Sequence, residues 1–174
     1  MSHSIDEINQ LEQAAFIDLL GAIYEETPEI AKRVWRNSRD SPSKNRPFNS
    51  LLHLHQKMAA IVERMTLPEQ LALIRAHPEL GASVKMAEAS VREQAGAGLN
   101  QMSETERERI EELNAAYQSK FGFPFVMAVK GFGKEEILMA FEERLRGEGE
   151  EERERAIAEI NKIARLRLEE LIEG

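Results

Sequence analysis

Ala156-Ile157-Ala158-Glu159-Ile160-Asn161-Lys162-Ile163-Ala164-Arg165-Leu166-Arg167-Leu168-Glu169-Glu170-Leu171 is the stretch that decides the fold. At roughly 100° per residue, Ala156, Ile157, Ile160, Ile163, Ala164, Leu168 and Leu171 fall on one side of a helix, with Lys162 and Arg165 on the other. One residue breaks the pattern. Arg167 stands near the centre of the apolar stripe, four residues after Ile163 and four before Leu171. A guanidinium there needs an anionic partner or carbonyls, because an unpaired buried charge is costly. Two readings follow. Arg167 forms an ion pair with an internal carboxylate or snorkels from the stripe's edge, or it is a fork for a substrate carboxylate.

The same period extends through the chain. Leu11, Phe16, Leu19, Leu20 and Ile23 predict an early amphipathic helix, and Thr27-Pro28 starts another at about 29–36. Residues 37–47 hold two prolines, three serines and two asparagines and read as a loop. A helix is expected over 48–65, and Thr66-Leu67-Pro68-Glu69 caps the next. That helix should stop near Ala76, since the residue before Pro78 is pushed out of the α region. Residues 81–98 are small, polar and alanine-rich, consistent with short helical turns. Ser103-Glu104-Thr105-Glu106 has capping-box spacing and opens a helix carrying Ile110, Leu113, Asn114, Tyr117 and Phe121, which ends at Gly122. The extended segment is 123–129, followed by helices at about 134–146 and 150–171. The mixed charges of 142–155 read as a solvated surface around a Gly147/Gly149 turn. The class is all-α, a multi-helix bundle forming one domain over 1–174.

Composition excludes several chemistries. The 174 residues contain no cysteine, so disulfides and thiolate nucleophiles or ligands are out. With 23 basic and 31 acidic residues the net charge is −8, which argues against a nucleic-acid partner. No apolar stretch approaches a membrane span, and Met1-Ser2-His3-Ser4-Ile5-Asp6 resembles no leader. No peroxisomal Ser-Lys-Leu-type ending is present. The expectation is a soluble, cytoplasmic domain.

Four histidines are candidates for chemistry. His77 ends a helix beside Pro78, where it is either a cap or surface group or a proton-transfer residue near neutral pH. His53 and His55, two apart on a helix, are poorly spaced for a shared metal. His3 falls in a tail expected to fray. Ser90-Val91-Arg92-Glu93-Gln94 is either a capping box or part of a ligand site beside the small residues Ala95-Gly96-Ala97-Gly98. Phosphate loops, dinucleotide fingerprints, zinc spacings and nucleophile elbows are all missing from the sequence.

A resemblance gathers these residues. Ala76-His77-Pro78-Glu79-Leu80-Gly81, Ser90-x-x-Glu93-Gln94-x-Gly96 and Leu99-Asn100 resemble the signature of one enzyme family. Tyr117, Phe121-Gly122-Phe123-Pro124-Phe125-Val126 and Lys162-Ile163-Ala164-x-Leu166-Arg167-Leu168 continue it, as do Tyr24-Glu25-x-Thr27-Pro28, Arg46-Pro47-Phe48 and Arg144-Leu145. The family is 2-oxo-4-hydroxy-4-carboxy-5-ureidoimidazoline (OHCU) decarboxylase, the third step from urate to allantoin. The resemblance implies a helical homodimer that needs no cofactor and no metal. It makes His77 the catalytic histidine, tuned by Glu93, and Pro78 its neighbour lining the site. Ser90 and Gln94 would contact substrate, and Arg167 would meet the substrate carboxylate. Phe125, Val126, Met127, Ala128 and Val129 would offer backbone groups to the ureido and ring atoms. Three features depart from the family pattern: Glu29 where tryptophan is frequent, Gly147 where asparagine is frequent, and a shorter stretch between His77 and Glu93. A non-catalytic helical binding or regulatory module, or an enzyme acting on another small ureide or carboxylic acid, are the alternative readings.

Overall fold

A computed structural model describes residues 1–40, 47–81 and 88–174. Every named element among them is a helix: α1 (Ile5–Gln10), α2 (Gln13–Leu20), α3 (Glu29–Arg39), α4 (Leu51–Glu63), α5 (Leu67–Ala76), α6 (Glu88–Gly96), α7 (Glu104–Phe121), α8 (Lys134–Leu145) and α9 (Gly149–Leu171). The protein is all-α, as the periodicity predicts. Residues 124–129 are neither helix nor strand. The expected 37–47 loop is shortened, because α3 continues to Arg39, and its part over 41–46, with Arg46, lies outside the described residues. So does 82–87 of the small-residue stretch. No helix among the described residues is long and apolar enough to cross a membrane.

The chain divides into two compact units, Met1–Leu73 with Asn161–Gly174, and Ile74–Ile160. In the first, the expected fraying of His3 is wrong. The His3 amide donates to the Leu171 carbonyl at 2.8 Å, the Glu173 amide donates to the His3 carbonyl at 2.8 Å, and His3 forms an isolated parallel bridge with Ile172. A Ser4–Glu7 capping box starts α1 immediately afterwards, so the tail is fixed at both ends. Asn9, buried near the end of α1, clamps Phe48 through both backbone groups, at 2.8 and 3.0 Å. Buried Tyr24 donates its hydroxyl to Asn161 Oδ1 at 2.7 Å. His55 Nε2–H donates to the Asn161 carbonyl at 2.7 Å, since a carbonyl can only accept. His53 Nδ1 accepts from the Asn49 amide at 3.2 Å beside the Ser50 cap of α4. Both histidines thus have structural bonds.

In the second unit, Ser103 and Glu106 close the capping box at the start of α7, with bonds of 3.1 and 3.2 Å. Gly122 ends that helix at φ 76, the left-handed position that glycine takes without strain. Helix α7 packs against α8. Tyr117 is the hub of the aromatic core, meeting the rings of Phe121, Phe123, Phe125 and Phe141 at 4.5 to 5.9 Å. The reading of 142–155 as a solvated face fails at two positions, because Arg144 and Glu152 are both buried.

Candidate active site

Helix α5 stops where Pro78 requires it to. The His77 amide donates to the Ile74 carbonyl at 3.1 Å, tightening the last turn, and the histidine is buried. Beyond Pro78 the backbone is fastened at Glu79, Leu80 and Gly81. Gly81 donates its amide to Gln94 Oε1 at 2.8 Å, and Gln94 Nε2 makes a long bond of 3.5 Å to the Glu79 carbonyl. Asn114 Nδ2 donates to the Leu80 carbonyl at 2.9 Å. Gly81 has φ +68, the left-handed conformation that favours glycine, whereas the nearest atom to a Cβ there, Met102 Cε at 2.8 Å, is the movable end of a flexible side chain.

Ser90, Glu93 and Gln94 share one face of α6 by their i, i+3, i+4 spacing. Ser90 and Gln94 are buried and Glu93 is half-buried, so that face is turned inward. Ser90 lies inside α6, which rules out the capping-box reading of Ser90 and Glu93. Phe125, Val126, Met127, Ala128 and Val129 are all buried. The structure therefore joins Gln94 to the loop that follows His77 and Pro78.

An open cleft of about 720 Å³ lies against this loop, with Glu79, Gly81, Val91, Gln94, Met102 and Asn114 on its walls. His77 and Glu93 are not among its described lining residues. Among the described residues, no group of three or more histidines, aspartates or glutamates is placed to hold a metal ion.

Arg167, in the first unit, is buried as the helical pattern requires. Its Nη2 lies 3.0 Å from Glu25 Oε2, with the two side chains 6% and 3% exposed. Nη1 donates to the Ile23 carbonyl at 3.3 Å. The internal ion pair raised by the sequence is therefore present, and its partner Glu25 belongs to the Tyr24-Glu25-x-Thr27-Pro28 motif.

A second buried group is built on Arg144, to which the Arg144-Leu145 motif assigns no role in the sequence. Arg144 Nε meets Glu152 Oε1 at 2.5 Å, with side chains 8% and 6% exposed. Tyr117 donates its hydroxyl to the same carboxylate oxygen at 2.7 Å. Arg144 Nη1 donates to the Val126 carbonyl at 2.5 Å, and the guanidinium carbon stands 4.3 Å from the centre of the Phe125 ring. Phe125 is stacked in turn on Phe141, with ring centres 3.9 Å apart. Burial, and then the Glu152 carboxylate, push the Tyr117 phenol far above its ordinary pKa. A usable signal was present in the sequence: Ile137, Phe141 and Arg144 occupy one face of α8, the same misfit that exposes Arg167.

Residues 9–169 match the family model for OHCU decarboxylase. The chain is 40% identical over 168 residues to the 2-oxo-4-hydroxy-4-carboxy-5-ureidoimidazoline decarboxylase of Halalkalicoccus jeotgali, covering 97% of this chain and 91% of that one. It is 41% identical over 169 residues to the uric acid degradation bifunctional protein of Bacillus subtilis, covering 97% of this chain but 33% of that longer protein. The crystal structure of (S)-allantoin synthase superposes with a TM-score of 0.80 at 27% identity, over 98% of this chain and 54% of that one. The chain belongs to the OHCU decarboxylase family.

Proposed function

We propose that this protein decarboxylates OHCU to S-allantoin in urate degradation. The observation that carries the reading is the family match over residues 9–169. The substrate has a carboxylate on the carbon next to an imine. When the bond to that carboxylate breaks, carbon dioxide leaves and the bonding pair moves into the imine, whose nitrogen takes up a proton. The resulting enol then loses its hydroxyl proton while the product carbon gains one. The substrate supplies its own electron sink, so the protein's tasks are orientation and proton delivery to one face.

In this reading His77 transfers the proton and Glu93 orients it, with Pro78 shaping the approach. Ser90 and Gln94 contact the substrate from α6, and the backbone of Phe125, Val126, Met127, Ala128 and Val129 meets its ureido and ring atoms. Gln94 accepts from the Gly81 amide and donates to the Glu79 carbonyl, which supports a further task for that side chain, holding the loop after His77 in register. Arg167 binds the substrate carboxylate. Glu25 does not conflict with that role, since a guanidinium has several N–H donors in a planar fork. The proposal includes a homodimer, residues 1–174 serving as one functional domain, and a cytoplasmic location. Sedimentation and cell fractionation check the assembly and the location.

The test generates the unstable substrate in place from urate with uricase and a hydrolase, and follows S-allantoin by circular dichroism. The protein is expected to accelerate its appearance, and no acceleration would sink the proposal. His77→Ala is expected to keep the fold and lose about 10²-fold or more in turnover, the usual contribution of a positioned acid–base group. Near-wild-type turnover in that variant would remove His77 from the chemistry.

A further inference from the structure

We infer that Arg144 is a positioning residue for substrate binding, acting through the backbone of the 125–129 segment. The inference rests on the decarboxylase reading, in which that backbone meets the ureido and ring atoms. It adds what holds the backbone in place.

A buried segment without helix or strand makes no regular ladder, so its carbonyls and amides need dedicated partners. Arg144 supplies one at Val126, at 2.5 Å, and flanks the same stretch with its guanidinium over the Phe125 ring at 4.3 Å. Two successive residues of the segment are thus fixed by one side chain, one through its backbone and the other through its ring. The guanidinium is itself held from the opposite end of its fork. Glu152 takes Nε at 2.5 Å, and the Tyr117 hydroxyl, at 2.7 Å, holds the carboxylate. Tyr117 also packs edge-on against Phe125, with ring centres 5.5 Å apart, which closes the circuit. A core residue kept only for stability would be better replaced by an apolar side chain, since a buried ion pair gains little over good packing. What the charged group provides here is direction, because a planar fork fixes both the carbonyl it binds and the ring beneath it.

Arg144 touches no reacting atom in this scheme, so its loss should weaken binding of the substrate's distal end and spare the proton-transfer step. Arg144→Lys retains the charge beside Glu152 but loses the second arm that reaches Val126. It is expected to raise KM about tenfold with kcat within about threefold, the pattern of lost uniform binding. Tyr117→Phe removes only the hydroxyl that holds Glu152, and is expected to raise KM about threefold with kcat unchanged. Both are measured in the coupled circular-dichroism assay, with concentrations corrected to the folded fraction, so simple destabilisation moves neither constant. If Arg144→Lys does not fold, Tyr117→Phe decides. Unchanged KM in the folded variants of an active wild type overturns the positioning role alone. An inactive wild type overturns both this role and the decarboxylase reading.

Discussion

Each of the two units contains a buried arginine–glutamate pair, and the two pairs are built differently. Arg167 and Glu25 meet at 3.0 Å, with the Ile23 carbonyl as a further acceptor. Arg144 and Glu152 meet at 2.5 Å inside a circuit that also takes in the Tyr117 hydroxyl, the Val126 carbonyl and the Phe125 ring. The shared charge chemistry therefore supports two tasks. A pair enclosed by a third polar group and an aromatic ring stiffens the backbone it holds. The Arg167 guanidinium, on an otherwise apolar helix face, carries several N–H donors in a planar fork, the geometry that suits an anionic partner.

Unfolding stability separates the two pairs most strongly. Removing one member of a buried pair costs about 3–5 kcal/mol, because the other charge stays behind. Glu152→Ala also strips the acceptor from the buried Tyr117 hydroxyl, adding about 1–3 kcal/mol. Urea unfolding should therefore show a larger loss for Glu152→Ala than for Glu25→Ala. Equal losses would mean that the Tyr117 hydroxyl adds no more to the Glu152 pair than the surroundings of Glu25 add to the other.

Substrate binding separates them next. Arg167→Lys keeps a positive charge near Glu25 but gives up the planar fork, and KM for OHCU is expected to rise about tenfold. An unchanged KM would leave Arg167 as the structural half of its ion pair.

The smallest effect belongs to a half-buried pair near the surface, Glu106 and Lys134. Glu106 is held below its ordinary pKa first by the Ser103 amide of the capping box, then by the Lys134 ammonium and the Ser103 hydroxyl. A depressed carboxylate pKa contributes stability above the ordinary value of 4.5, which is lost as pH falls through the lowered one. The stability gap between wild type and Glu106→Gln should thus be fully present near neutrality and close on acidification. A gap that stays constant with pH would show that Glu106 acts without its charge.

Local order was legible where one period dominates. The apolar stripe of α9, the stop before Pro78, the Ser103 box and the Gly122 cap all follow from spacing and backbone sterics within a few residues. Arg167 was legible as a misfit for the same reason. Arg144 and Glu152 were not, because the charges around them made the stretch look uniformly solvated, although Ile137, Phe141 and Arg144 share a helix face. Partners were less legible still. Nothing near Arg167 in sequence marks Glu25, and nothing near His3 marks Leu171 and Glu173, since tertiary packing alone brings distant segments together. Within the candidate site, the sequence marked His77 and the α6 face. The fastening of 79–81 by Gln94 and Asn114 became visible only in three dimensions.

The two buried phenols have an optical consequence. Tyr24 and Tyr117 are the only tyrosines in the chain, one in each unit. Burial raises both above the ordinary value of 10.0, with Glu63 adding to the shift at Tyr24 and Glu152 at Tyr117. A raised pKa contributes stability that is complete below the ordinary value and is lost as pH rises beyond it. Alkali therefore draws the chain towards its unfolded state, where both hydroxyls ionise. Phenolate absorbance then becomes a native reporter of opening that needs no added dye, and it is silent while both units stay closed.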